Sequence, residues 1–259
     1  MRYQLAKDAR PQARTLLFAA LLTIALRFIP YASIVTYPFR LFVTFIHEGG
    51  HALAAVLTNN SVQSLSVHID ASGLTETLSA PGGTLSQMFI SSAGYLGAIS
   101  FGALLLCLIR YRVKARTLLV SSAVIVLGLT FVFGFFVPLT NLSLQPFTVL
   151  AGVVISAGLL AAAKYASPRV ATFLVGFLAV QCVLNAVFDL KTVALLSLTP
   201  GVQTDAENMH AATGVPAFFW SLIWIGLAFI ILSAALRAYA VSRKKPSQPD
   251  LPFEDAPAV

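Results

Sequence analysis

The 259-residue chain is 58% hydrophobic and only 10% charged, against roughly 45–50% and about 25% in an ordinary soluble domain, which excludes a soluble fold. Its net charge of +7 would suit nucleic acid, but the basic residues sit at the ends of apolar runs, where they mark membrane topology. Cys107 and Cys182 each lie in an apolar run without a C-x-x-C companion, so they read as buried free thiols and not as a disulfide or a thiolate metal site.

Seven apolar runs approach span length, taken as about 18 residues: Thr15 to Val35, Phe39 to Leu57, Gln87 to Ile109, Leu118 to Val137, Phe147 to Ala163, Ala171 to Leu196, and Pro216 to Ala240. The first follows Arg2, Lys7, Arg10 and Arg14, yet it runs long and lacks a small-residue cleavage site. It reads as an uncleaved anchor.

The second run contains His47-Glu48-Gly49-Gly50-His51, an H-E-x-x-H pentad between the apolar flanks Leu41 to Ile46 and Ala52 to Leu57. On a helix two histidines four positions apart share one face, so both imidazoles reach one Zn²⁺ while Glu48 is left as a general base toward water. The flanks place that chemistry at bilayer depth. Gly49 and Gly50 serve either access to the metal or tight helix packing. Arg27 and Arg40 read as snorkelling to an interface.

Asn59 to Ser86 is the one extended polar segment. Val62 to Asp70 alternates apolar and polar residues, Ala71-Ser72-Gly73 supplies turn chemistry, and Leu74 to Leu78 resumes the alternation, a β-hairpin pattern closed by Pro81-Gly82-Gly83. Its edge could take an extended peptide by strand addition, or it could be a plain surface hairpin. In the third run Gly94, Gly97 and Gly102 permit close helix approach. After Ala240, Arg243-Lys244-Lys245 leads into a Pro-rich tail over 242–259 that reads as disordered and cytoplasmic. Residues 1–241 read as one membrane domain with a polar hairpin insertion at 58–86.

Topology carries a conflict. The clusters Arg110 to Arg116, Lys164/Arg169 and Arg243 to Lys245 fit one cytoplasmic face, but seven full spans would put the basic N-terminus on the other. Either the pentad segment or the one before it does not cross fully, or the rule is broken once. The fold class expected is an all-α polytopic membrane protein with six to seven transmembrane or re-entrant helices and one β-hairpin insertion.

A third metal ligand must come from ten acids. Only Glu48 and Asp189 fall in apolar spans, where an unpaired carboxylate is costly, so Asp189 comes first. Asn185, one turn earlier, could orient it or bind the substrate backbone. A salt bridge from Asp189 to Lys191 or Arg27 is the plain alternative. Asp205 stays open as the other ligand, although Thr204 or Asp205 would equally cap a short helix. His68 and His210 read as solvated side chains.

His47 to His51, the hairpin closing near Gly73, Ser92 to Gly97 read as a helix start, and Asn185 to Leu190 together resemble the site-2 protease-like intramembrane zinc metallopeptidases, particularly their small bacterial members. The resemblance runs from about Phe39 to Trp224. It implies zinc held by His47, His51 and most plausibly Asp189, with Glu48 activating water. The family's aspartate is followed by glycine and preceded by a proline-containing stretch, whereas here Leu190 follows and no proline lies near. Thr204-Asp205-Ala206 also resembles an element of small relatives. The expected function is a membrane zinc endopeptidase of the bacterial inner membrane, cutting a regulatory, single-span membrane protein embedded in the bilayer. A catalytically inactive scaffold and a small-solute or proton transporter are the other classes. The transporter is disfavoured because no pair of broken half-helices repeats.

Overall fold

The computed structural model describes residues 10–26, 28–29, 31–78, 83–199 and 201–240. The basic tail, Arg27, and the expected closing Pro81-Gly82 lie outside them. In chain order the elements are α1 Arg10–Leu26, α2 Ala32–Leu57, β1 Ser61–Val67, β2 Gly73–Leu78, α3 Thr84–Arg110, α4 Ala115–Leu129, α5 Val137–Asn141, α6 Pro146–Tyr165, α7 Pro168–Leu196, α8 Asp205–Thr213 and α9 Ala217–Ala240. A π-helical stretch, Thr130–Phe136, joins α4 to α5. Five helical runs are long and apolar enough to cross a membrane: α3, Ala115–Asn141, α6, α7 and α9. The chain is an all-α polytopic membrane protein carrying a β-hairpin.

Two expected boundaries move. The first apolar run does not continue to Val35: α1 stops at Leu26, and α2 starts at Ala32 after Tyr31 adopts a left-handed conformation with φ 62°. Hydropathy alone could not see this break, because both sides of it are apolar. Ser92 to Gly97 is not a helix start, since α3 begins eight residues earlier at Thr84.

Helix directions follow from side-chain contacts. α1 runs parallel to α7, with Leu16 beside Gly176 and Thr23 accepting from Gln181 Nε2 at 3.0 Å. α2 runs antiparallel to α3, with Phe42 beside Phe101 and His51 beside Ile90. α3 in turn opposes α7: Gly102 approaches Ala179, and Ile109 shares a cavity with Ala171. Hence α1 and α2 both point the same way as α7, and together they do not form an up-and-down pair. The start of α1, the α3–α4 turn and the α6–α7 turn therefore gather at one end of the bundle, which we term the basic end. The conflict in the sequence dissolves, because α1 and α2 contribute one net crossing between them.

The hairpin is antiparallel, pairing Ser61 with Leu78 and Val67 with Gly73, with an irregularity between Val62 and Ser64. It folds back alongside α2. Tyr37 donates its hydroxyl to Ile69 O at 2.6 Å, Arg40 Nη2 donates to Asp70 O at 3.0 Å, and Thr44 donates to Ala71 O at 2.8 Å. On its other side Thr148 of α6 accepts from Val67 N at 2.9 Å and lies 3.2 Å from Val67 O, while Asn141 donates to Gln63 O at 3.1 Å. Backbone away from water must find such partners. Arg40, expected at an interface, instead fastens the hairpin turn.

Candidate metal centre and active site

α2 supplies the pentad on one face, as a helical i, i+4 pair requires. His51 is buried and His47 partly so. His51 Nδ1 lies 2.7 Å from Ile90 O. A carbonyl only accepts, so Nδ1 carries the hydrogen of the neutral ring and Nε2 presents its lone pair. The two Nε2 atoms are 3.0 Å apart.

The third group comes from α8. The chain turns after α7, Thr204 caps α8 by accepting from Glu207 N at 3.2 Å, and Asp205 is the first helical residue. Buried Ala206 and Met209 pack the short helix into the bundle. Asp205 Oδ2 stands 3.4 Å from Nε2 of both His47 and His51. Ligands at about 2.0–2.1 Å around a tetrahedral zinc are about 3.3–3.4 Å apart, so these three atoms have the spacing of three corners of one zinc shell. Burial opposes ionisation of Asp205, but the adjacent histidines outweigh it and hold its carboxyl below the usual carboxylate range.

Gly94 of α3 makes room for this group. A Cβ there would collide with Nε2 of both histidines. Gly50 settles its own role similarly, because a Cβ would meet the Ala93 carbonyl: its absence serves helix packing. Behind the histidines, Tyr95 sets its ring edge-on to His47 at 4.5 Å and rests on Trp224 at 5.7 Å, whose Nε1 donates to Ser92 at 3.0 Å.

Glu48 is buried beneath the hairpin. Thr75 Oγ1 donates to Glu48 Oε2 at 2.8 Å and lies 3.1 Å from the Glu48 carbonyl. Gly73 presses on the same side chain, since a Cβ would stand 2.5 Å from Oε1 and 2.6 Å from Cγ. Neither Thr75 nor Gly73 was marked as functional by sequence, which offered only a strand and a turn.

These groups open into a cavity of about 550 Å³ whose wall includes Asn185, Asp189 and Asp205. Among the described residues, His47, His51 and Asp205 form a possible metal-holding group, their ligand atoms all within 4.8 Å. Asp189 shares the cavity wall and has other interactions, but it stands outside that group. Asn185 Nδ2 donates to Gln181 O at 3.0 Å and to Gln181 Oε1 at 2.9 Å. His210 Nδ1 lies 3.1 Å from Val215 O, and neither it nor His68 joins the cluster.

The family described as Peptidase M50B-like matches residues 17–235. The chain belongs to that family, the site-2 protease family. No curated protein and no solved structure matches it. Membership in a metallopeptidase family agrees with a metal centre on the His47, His51 and Asp205 group, and with apolar helices that make the chain an integral membrane protein.

Proposed function

We propose that this M50B-like protein is an active zinc-dependent intramembrane endopeptidase whose ligands are His47, His51 and Asp205 and whose general base is Glu48. The observation that carries the reading is the near-equilateral triangle of two Nε2 atoms and one carboxylate oxygen beside a carboxylate held by Thr75. Asp189, ranked first on desolvation, is set behind Asp205 because the latter alone joins the triangle.

Zinc held there would supply Lewis acidity, lowering the pKa of a water and polarising the scissile carbonyl. Glu48 accepts the proton of the attacking water as the C–O bond forms, then delivers it to the amine nitrogen as the C–N bond breaks. Thr75 fixes one carboxylate oxygen and leaves Oε1 for the proton. Asn185, its amide nitrogen engaged by Gln181, offers its carbonyl oxygen to a substrate N–H. The substrate is a single-span membrane protein whose helix unwinds so that its carbonyls become accessible. The basic end faces the cytoplasm by the positive-inside rule, in a bacterial inner membrane.

The test is metal content and turnover of the detergent-purified full chain. Wild type should hold one zinc and cut a single-span substrate, while Glu48→Gln should hold zinc and cut nothing. Absence of bound zinc in wild type, or cleavage by Glu48→Gln at the wild-type rate, overturns the proposal.

A further inference from the structure

A second cavity, of about 460 Å³, lies at the basic end of the bundle between the α3–α4 and α6–α7 turns. Its wall combines Arg112, Lys114 and Arg116 with the apolar side chains of Ile109, Val113 and Ala171. Along α3 it is fifteen residues beyond Gly94, about 22 Å by helical rise, so it is separate from the metal centre.

Charge at this place is one-sided. Between Glu76 and Asp189 the sequence contains no acid and six bases, Arg110, Arg112, Lys114, Arg116, Lys164 and Arg169, all in or beside these two turns. Arg116 Nη2 donates to Ala166 O at 3.1 Å and ties the turns together. Arg112 and Lys114 are exposed, and no carboxylate among the described residues pairs with them.

The helices beginning here make the imbalance worse. A helix N-terminus carries partial positive charge and favours acids, yet neither α4 nor α7 has an acid in its first turn. α4 instead starts with Lys114 at its cap position and no capping side chain, followed by Arg116, and α7 carries Arg169 in its first turn. Cations at the positive pole cost stability, and an anion between them would relieve both the side-chain repulsion and the uncapped amides.

We infer that this cavity binds the phosphate headgroup of an anionic phospholipid, with Arg112 and Lys114 on the phosphate oxygens and Ile109, Val113 and Ala171 against the start of an acyl chain. A bilayer lipid is the occupant that fits, because the cavity lies where the membrane-crossing helices end and pairs apolar walls with cations; basic pockets between membrane helices on the cytoplasmic side take such headgroups. A free phosphate would use the same cations but not the apolar wall.

The experiment uses full-length protein and native mass spectrometry after reconstitution with phosphatidylglycerol or phosphatidylcholine. Wild type should retain phosphatidylglycerol and not phosphatidylcholine, and millimolar inorganic phosphate should not displace it. Arg112→Gln with Lys114→Gln should weaken retention about thirtyfold, at about fivefold per cation near the headgroups, while Lys164→Gln, outside the cavity wall, should leave it unchanged. Equal retention of both lipids by wild type overturns the inference without any variant. So does unaltered retention in the double variant, an equal loss in Lys164→Gln, or displacement by phosphate, which would make the site one for free oxyanions.

Discussion

Thr75 and Glu48 are 27 residues apart in sequence, and the threonine hydroxyl reaches the glutamate Oε2 at 2.8 Å. The hairpin thus touches the one side chain of the pentad that cannot be a metal ligand in the proposed scheme. A strand laid over the base fixes the carboxylate rotamer, and it couples the base to whatever moves the hairpin.

Thr75→Val should lower kcat by about 10–100-fold, the usual cost of losing a partner behind a reacting group, with KM nearly unchanged and zinc content intact. Thr75→Ser should restore most of the rate. Steady-state kinetics on a single-span substrate decide it; a Val variant with wild-type kcat would show that Glu48 needs no such support.

The third ligand is tested by metal content alone. Asp205→Ala should bind zinc substoichiometrically, and Asp189→Ala should remain equimolar by elemental analysis. Because the histidines hold the Asp205 carboxyl below its ordinary range, acidification should release zinc by protonating imidazole, at about pH 6 or below, before Asp205 gains a proton. Zinc loss from Asp189→Ala with retention in Asp205→Ala reverses the assignment.

Gly94→Ala should abolish zinc binding while leaving helicity unchanged, because its Cβ falls on both Nε2 atoms. Gly158→Ala is the control, with nothing within 4 Å of the added carbon. Circular dichroism and zinc content measured together separate the two variants, and a zinc-replete Gly94→Ala would refute the geometry.

Thr148→Val keeps volume but strips the hydroxyl that serves both the N–H and the carbonyl of Val67. Leaving buried backbone groups unpaired costs about 1–3 kcal/mol each. The variant should melt at lower temperature and expose the hairpin to protease, whereas Thr148→Ser should behave as wild type. Unchanged protease resistance in Thr148→Val would mean the hairpin is held elsewhere.

What could be read from the sequence was local. His47 and His51 share a face through helical period alone, and the hairpin from Ser61 to Leu78 follows from alternation around Ala71-Ser72-Gly73. Distances across the fold were hidden. Asp205 ranked second because a polar loop needs no partner to stay solvated, and only the return of α8 against α3 brings it over the histidines. Thr204 at the cap was its sole sequence signal. The shared direction of α1 and α2 was equally invisible, since hydropathy counts apolar runs without recording which way each one points.

The π-helical stretch Thr130–Phe136 has an ancestry built into its geometry. A π turn holds one residue more than the α turn it interrupts and recurs at functional sites. Deleting a single codon within 130–136 would heal the helix and rotate all that follows by about 100°. Asn141 would then swing off Gln63, and Gly134, which now passes close to Leu65 and Thr148, would be replaced there by a larger neighbour. The seat of the hairpin is thus a matter of reading-frame bookkeeping: one triplet gained or lost in α4 decides whether the strand that holds Glu48 has a floor to rest on.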